Sequence, residues 1–515
     1  MGKSKSTLVF LGICAFALVV SSLIYFQYSQ RNETGADLSS TAAATTPSSN
    51  YRGPLDDCLQ NAVLYGRANH LAADCTTNYV HFYPDNMNPR MAESTNGELR
   101  IGSFNLFHLG DNQSSMKHYG LVAKIMNQWD VVGAQEMMPL PGDWATANQK
   151  IYELLSDGNG KMVTFPYDNW SVAMPGYLRL LMELQALDPS WAVILQPVPE
   201  GEGSSGEMAG FYYRSKRVRL KDWGYCPSDR AVDIKTNNQV GNFACLLQIP
   251  NDQRRLMSRV AFTAYFQAGK FDFVGVTTHV RFRAADAEAD LKEQTDDICS
   301  FHENAAKCKP AKDEVGRFFE VAAIVNQFKD IKQITGDNDI IFTGDFNLQD
   351  DPKSKALWES ALKPAPGFVV TQTGLTTLSI KGSKLISNYD HFILDPKATS
   401  ECDIQSIRPF DFTTADTSSD PVMREIAKFL SPSMQQMYLE DAQNAIATLT
   451  KYQAGRGNTG GSVRPLSDKE KADIVRSYTE AVQRMKANKY GALMELISDH
   501  VPIEMRCRIP LRDDD

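Results

Sequence analysis

The sequence predicts an α/β or α+β domain with a stacked-sheet core. Three observations carry that expectation. Apolar runs of strand length recur along the chain and are hydrophobic along most of their length, which suits sheets covered on both faces. Helical patterns intervene between them, notably Glu314 to Ile334. Short polar motifs sit at the ends of the apolar runs, where a scaffold usually presents functional groups.

The elements follow in chain order. From Thr7 to Phe26 the chain carries no charge, a stretch long enough to cross a hydrocarbon core of about 30 Å. Lys3 and Lys5 precede it, which favours a cytosolic N-terminus and an exported remainder. Its length, and the absence of small residues after it, favour an uncleaved signal anchor within residues 1–30. The alternative is a cleaved signal and a secreted protein. The expected location is therefore the exported side of a membrane, extracellular, periplasmic or lumenal. Residues 31–50 are small and polar and read as a flexible stalk. Residues 51–95 form a lead-in, and the main domain covers 96–515.

Within that domain, strands are expected at Leu99–Asn105, Asp130–Met137, Ala209–Ser215, Ala244–Pro250, Phe271–Val280, Asp339–Asn347, Tyr389–Asp395 and in the run after His500. Helical patterns are expected near Met116–Gln128 and within Trp170–Ala192. Two stretches read as insertions. Residues 282–316 are charged and lack strand patterning. Residues 413–490 carry helical patterns around 421–451 and 467–487, parted by a glycine-rich stretch, as a helical hairpin on the domain surface.

The charge balance is 53 Lys+Arg against 62 Asp+Glu, a net charge of −9, which argues against tight duplex binding through a basic surface. With 43% hydrophobic residues the chain is not disordered overall. Apart from Cys14 in the apolar segment, the cysteines are even in number, which suggests disulfides in an exported chain. Cys299 with Cys308, and Cys58 with Cys75, are the plausible local pairs. No C-x-x-C spacing occurs, so a structural zinc site is not expected.

Six motifs carry the chemistry: Ser103-Phe-Asn105, Gln135-Glu136, Thr278-His279, Gly344-Asp-Phe-Asn347, Tyr389-Asp390-His391 and Ser498-Asp-His500. Charged and imidazole groups at the ends of buried strands are costly unless paired or metal-bound. His391 follows Asp390 directly, so alternation turns it to the opposite side of its strand, and it reads as structural.

In type and order these motifs resemble the endonuclease/exonuclease/phosphatase superfamily, and most nearly its DNase I-like nucleases. The resemblance runs from about Leu99 to Arg508, apart from the two insertions. Glu207-Met-Ala-Gly-Phe-Tyr-Tyr-Arg214 and Pro409-Phe-Asp-Phe412 add to it. It implies two stacked mixed β-sheets flanked by helices, a DNase I-like four-layer sandwich with helical insertions. It implies a metal-dependent phosphodiester hydrolase, a DNase I-like endonuclease first. A sphingomyelinase-like or inositol-phosphate phosphoesterase is the alternative. Nucleic acid or phospholipid is the implied substrate, and Mg²⁺ the implied cofactor, with Mn²⁺ or Ca²⁺ as alternatives.

The resemblance also assigns roles. Glu136, Asn105 and Asp499 are the implied metal ligands. Asp345 and Asn347 orient and activate the attacking water or hold a second metal. His279 and His500 contact the phosphate and exchange protons, held by Glu207 and Asp390 respectively. The chain departs from the DNase I pattern where arginines reach the DNA backbone, and carries Phe107 and Met138 instead. Both suit an apolar-rimmed site, and they weaken the case for duplex DNA. Arg214, in the basic run to Arg219, and Arg281, with Arg283, remain as candidate phosphate-binding cations; alternation puts Arg281 and Arg283 on the side of His279.

Overall fold

A computed structural model describes residues 79–82, 97–110, 116–138, 163–166, 176–196, 199–201, 206–221, 244–282, 287–302, 304, 308–371, 374–451 and 468–509, all within one compact unit, Ser49–Asp515. The expected apolar helix, the stalk and the Cys58 and Cys75 pair lie outside the described residues. Among the described residues no helix is long and apolar enough to cross a membrane.

The strands are β1 Tyr79–Phe82, β2 Gly97–Leu109, β3 Val131–Met137, β4 Val163–Pro166, β5 Trp191–Leu195, β6 Met208–Arg214, β7 Arg219–Leu220, β8 Ala244–Leu246 and β9 Phe262–Ala268. After them come β10 Phe271–His279, β11 Ile340–Asp345, β12 Val369–Val370, β13 Thr377–Ser379, β14 Lys384–Ser387, β15 Asp390–Leu394, β16 Cys402–Pro409 and β17 Ile503–Ile509. One sheet runs in the order β16-β17-β2-β3-β6-β5. The other runs β12-β15-β11-β10-β9-β7, with β8 also on β9. Both are mixed: β2 is parallel to β3 and β10 to β11, while β17, β6, β9 and β15 run antiparallel to their neighbours.

Side-chain alternation builds the layers. On β6, Ala209, Phe211 and Tyr213 enter the core between the sheets, where Phe262, Phe266, Ile341 and Phe392 also lie. Met208 and Tyr212 turn the other way, into a core shared with the helices Tyr119–Met126 and Gly176–Leu187. The second sheet covers its outer face with the helices Lys312–Val325, Phe328–Thr335 and Lys355–Leu362. The result is helix, sheet, sheet, helix: the stacked, DNase I-like sandwich that the resemblance implies.

The insertions take defined forms. Within residues 282–316 the helix Glu288–Ser300 ends in a Cys299–Cys308 disulfide, with the two Cα atoms 5.5 Å apart. The pattern around 421–451 is not one helix but two, Pro421–Phe429 and Pro432–Lys451. Proline has no N–H for the preceding helix and is tolerated in the first turn of the next. Together with the helix Asp468–Ala487 these helices are more than surface decoration. Met423, Ile426, Phe429, Tyr438 and Met485 join the core of the first sheet, and Phe429 packs edge-on against the ring of His118 at 4.5 Å. The pattern of Glu314–Ile334 likewise divides after Val325. A second disulfide, Cys402–Cys507, joins facing residues of β16 and β17. Cys245 is also disulfide-bonded.

Candidate active site

The motifs converge where strands of both sheets end. In the second sheet Asp345 is flanked in register by His279 on one side and Asp390 on the other. In the first, Asn105 pairs with Gln135 across β2 and β3. Beyond those positions both strands leave regular geometry. Register breaks lie between Asn105 and Leu109 and between Ala134 and Met137. Phe107, His108 and Glu136 have φ of 45°, 50° and 55°, and Asn347 has 52°. Left-handed backbone at such residues costs on the order of 1–3 kcal/mol each and gathers at functional sites. Here the bulges re-aim Asn105 and Glu136 toward the second sheet.

The side chains form one connected cluster. His500 Nδ1 donates to Asp390 Oδ2 at 2.7 Å, and its Nε2 faces Asp345 Oδ2 at 3.5 Å. His279 Nδ1 stands 2.9 Å from Glu207 Oε1, and its Nε2 faces the same Asp345 oxygen at 3.7 Å. Both imidazoles are thus fixed at one nitrogen by a carboxylate and turned toward Asp345 with the other. Asn105 Nδ2 donates to Glu136 Oε1 at 2.9 Å and to Asp345 Oδ2 at 3.0 Å, joining the two sheets. Asn347 donates its backbone N–H to Asp345 Oδ1 at 2.9 Å, and its side-chain amide lies 3.2 Å from His279 Nε2. His391 points away, its ring nitrogens 3.2 and 2.8 Å from the carbonyls of Thr371 and Leu348.

Burial and neighbouring charge set the protonation states. Burial, the largest single effect, disfavours the His279 imidazolium, as does the charge of Arg259, but the charge and hydrogen bond of Glu207 together with Asp345 prevail and raise its pKa to about 9. His500 is pushed well above the ordinary range: burial opposes this, but Asp390, Asp345 and Asp499 together prevail. Burial would raise Glu136; His279 and His108 beside it, with the Asn105 amide, hold it at about 2 instead. Asp345 is raised, by burial first and then by Asp390, with His500 and His279 opposing. Asp499 rises to about 6, through burial and the nearby Glu136 and Asp345, with His500 and Lys117 opposing.

A divalent cation fits this donor set. Ligand atoms of Glu136, His279 and Asp345 lie within 4.8 Å of one another. Asp499 Oδ1 is buried with no hydrogen-bond partner. Asp345 and Asp499, buried carboxylates with raised pKa values, are stabilised as anions by a positive charge, and oxygen donors suit a hard cation. The carboxylate oxygens of this set suit such a cation, and His279 stands beside them. Metal affinity should weaken with acid: Asp499 is ionised above about pH 6 and protonated below it, so a proton competes there with the cation. Calorimetric titration with Mg²⁺ at about pH 7.5 and about pH 5 checks this. Equal affinity at the two values would contradict it.

Two residues, Arg214 and Arg281, sit otherwise than the sequence suggests. Arg214 ends β6 while Glu207 precedes it, so the two are about 23 Å apart at about 3.3 Å per residue. Its guanidinium lies 3.6 Å from Asp188, donates to Asn127 Oδ1 at 2.9 Å and stacks on Trp191 at 5.2 Å, so it is not a phosphate-binding group. The rest of its basic run is engaged likewise, Lys216 with Asp188 at 2.6 Å and Arg217 with Asp130 at 3.4 Å. Arg281 is buried: β10 ends at His279, alternation stops there, and the chain turns its side chain toward the Leu256 carbonyl at 3.4 Å. Arg283 lies outside the described residues. Asn105 bridges two carboxylates with its amide nitrogen, while its oxygen accepts from Phe107 N–H at 2.9 Å and keeps its second lone pair. Arg214→Ala should therefore lower stability by about 1–3 kcal/mol and leave kcat/KM within about twofold, as thermal unfolding and steady-state rates would show.

Other residues enter unannounced by the sequence. His108 donates its backbone N–H to Glu136 Oε2 at 3.1 Å, and its ring reaches the same oxygen at 3.9 Å. Arg259 pairs with Glu207 and donates to the His279 carbonyl at 3.2 Å. Lys117 is buried, with Nζ on the Ile497 carbonyl at 2.6 Å; burial lowers its pKa to about 8 against the opposing charges of Asp499, Glu495 and Glu136.

No protein-family model matches the chain, and no curated protein matches it. Among solved structures it is similar to an endonuclease/exonuclease/phosphatase family protein from Bacteroides thetaiotaomicron, at 13% identity and a TM-score of 0.35, over 81% of this chain and 100% of that one. It is similar to humanized D. rerio TDP2, at 14% identity and a TM-score of 0.29, over 58% and 83%. It is similar to ANGEL2, a 2′,3′-cyclic phosphatase, at 8% identity and a TM-score of 0.34, over 84% and 98%. Its two stacked sheets, with the motifs set where their strands end together, have the arrangement that the sequence resemblance implies.

Proposed function

We propose that the chain is a divalent-metal-dependent phosphodiester hydrolase and, as its first substrate class, a nuclease. One observation carries this reading: two imidazoles, each fixed by its own carboxylate, face a single buried aspartate, Asp345, from either side. At neutral pH both are imidazolium, so both can hold a phosphate oxygen and either can give a proton to the leaving oxygen. Asp345, on the same side as both Nε2 atoms, is placed to orient a water and take its proton, with Asn347 holding its second oxygen. Glu136, Asp345 and Asp499 would hold the cation, for which Mg²⁺ is the first choice. That cation would supply charge neutralisation at the phosphate.

The test is hydrolysis by the full chain of single-stranded DNA, duplex DNA, RNA and sphingomyelin vesicles, each with Mg²⁺ and with EDTA. Metal-dependent cutting of a nucleic acid supports the nuclease reading. Cleavage of the lipid alone would move the chain to the sphingomyelinase-like alternative, to which the exposed Leu375 and Ile386 lend some support. Leu375 precedes β13 and Ile386 lies in β14, the hairpin whose Thr377 bridges to His500. No hydrolysis of any of them would overturn both. The N-terminal apolar segment supports a membrane-anchored enzyme, and the mass of the mature N-terminus would distinguish an anchored from a secreted form.

A further inference from the structure

Phe282 is 61% exposed, the most exposed large hydrophobic side chain among the described residues. It follows His279 by three positions, so the two Cα atoms are at most about 11 Å apart. Its ring lies over the guanidinium of Arg317 at 5.3 Å. Arg317 is only 6% exposed; Glu314, one helical turn before it, is the carboxylate that feels its charge, none stands within ion-pair distance among the described residues, and its Nε is buried without a hydrogen-bond partner. It spends its other nitrogens on two carbonyls, that of Phe282 at 2.5 Å and that of Asn347 at 2.6 Å. Burying a guanidinium without a direct ion pair is costly. What this one holds in place is an exposed aromatic ring beside the Asn347 loop.

A second ring answers it from the other sheet. Phe107 stands two residues after Asn105 in left-handed backbone, φ 45°, which a bulky side chain adopts only when its surroundings compel it. Its N–H is on Asn105 Oδ1, and the buried Lys117 ammonium lies 5.7 Å from its ring centroid. The bulged end of β2 and the loop that follows β10 thus each bring one aromatic, with one buried cation against it, close in sequence to residues of the cluster. The attraction between cation and ring helps fix each ring; Phe282 is exposed, and Phe107 is partly exposed with the His108 ring edge-on to it at 5.3 Å. The arginines that might have gripped a duplex backbone, Arg214 and Arg281, are turned to internal partners.

We propose that Phe282 and Phe107 are stacking platforms for the unpaired bases on either side of the scissile phosphate, so that the substrate is a single-stranded nucleic acid. This rests on the nuclease reading. Bases in a duplex are already stacked and paired, and would have to be extruded to use such platforms.

The experiment compares the full chain with Phe282→Ala, Phe282→Leu and Phe282→Trp on one single-stranded oligonucleotide, its duplex, and the same strand with abasic residues flanking the mapped cleavage point. Base stacking on an aromatic is worth about 5- to 150-fold in binding. The alanine and leucine variants should therefore lose that much in kcat/KM, chiefly through KM. Tryptophan should restore it, and the duplex should be the poorer substrate throughout. On the abasic strand all four proteins should cut alike. Equal losses on the abasic and the normal strand would mean a structural role and overturn the proposal. So would a duplex cut as fast as the single strand, or variants unchanged on every strand. If the unaltered protein cuts no oligonucleotide, the nuclease reading falls first and the proposal with it.

Discussion

Replacing His500 with alanine is expected to reduce kcat/KM by about 10²- to 10⁴-fold, the range for removing a positioned proton donor. The physical reason lies in the Asp390–His500–Asp345 array. Asp390 fixes the ring at 2.7 Å and raises its pKa, so that the other nitrogen is presented protonated at neutral pH. Truncation also leaves the buried Asp390 carboxylate without that donor, which should lower stability by about 1–3 kcal/mol. Rates must therefore be measured well below the variant's unfolding midpoint, with far-ultraviolet circular dichroism as the check on folding. Asp390→Asn keeps the ring but removes the charge that raises its pKa. It should move the acid that titrates in the pH–rate profile to lower pH, with a smaller loss at the optimum. A His500→Ala protein that is folded and works at an undiminished rate would remove His500 from the reaction.

Gly344→Ala is expected to be the most damaging small substitution near the site. Gly344 has φ of +152°, which L residues rarely adopt, and an added Cβ would stand 1.9 Å from the Thr278 carbonyl oxygen. That carbonyl belongs to β10, which pairs in parallel register with β11 at this residue. The clash cannot be relieved without parting the strands that carry His279 and Asp345. Backbone strain and lost pairing together should cost about 3–5 kcal/mol, at the exceptional end for a single substitution. The denaturant midpoint should fall accordingly, and residual activity should fall further than the folded fraction does. An alanine variant with an unchanged midpoint would contradict the backbone geometry described for the Gly344-Asp-Phe-Asn347 turn.

Much of the site is visible in the sequence because of one physical contrast. Apolar strands such as Ile340–Thr343 end abruptly in groups that burial penalises, and the chain tolerates Asp345 there only among His279, His500 and Asn105. Strand alternation also turns His391 away correctly, into carbonyls on the far face. The same rule fails at Arg281, because regular strand ends at His279 and the next residues obey the loop. It fails at His108 for a related reason: positive φ at Phe107 and His108 breaks the two-residue period and brings His108 back to Glu136. Arg214 has the right strand but the wrong end of it, and its partners Asp188 and Asn127 are distant in sequence. Lys117 meets Ile497 across 380 positions, and Cys402 meets Cys507 across 105. Spacing alone carries no information about such pairs. The outer helices were legible as helices but not as core, since their apolar stripes do not say what they pack against.

The central claim is that one metal-dependent centre, built from both sheets, hydrolyses a phosphodiester. The direct measurement is the rate of oligonucleotide cleavage by the full chain after stripping with EDTA and titration with Mg²⁺, run in parallel with His500→Ala. The expected result is no cleavage in EDTA, recovery that saturates with Mg²⁺, and in the variant a recovery about 10²- to 10⁴-fold lower at every Mg²⁺ concentration. Cleavage that survives EDTA, or that Mg²⁺ restores equally in His500→Ala, would contradict it.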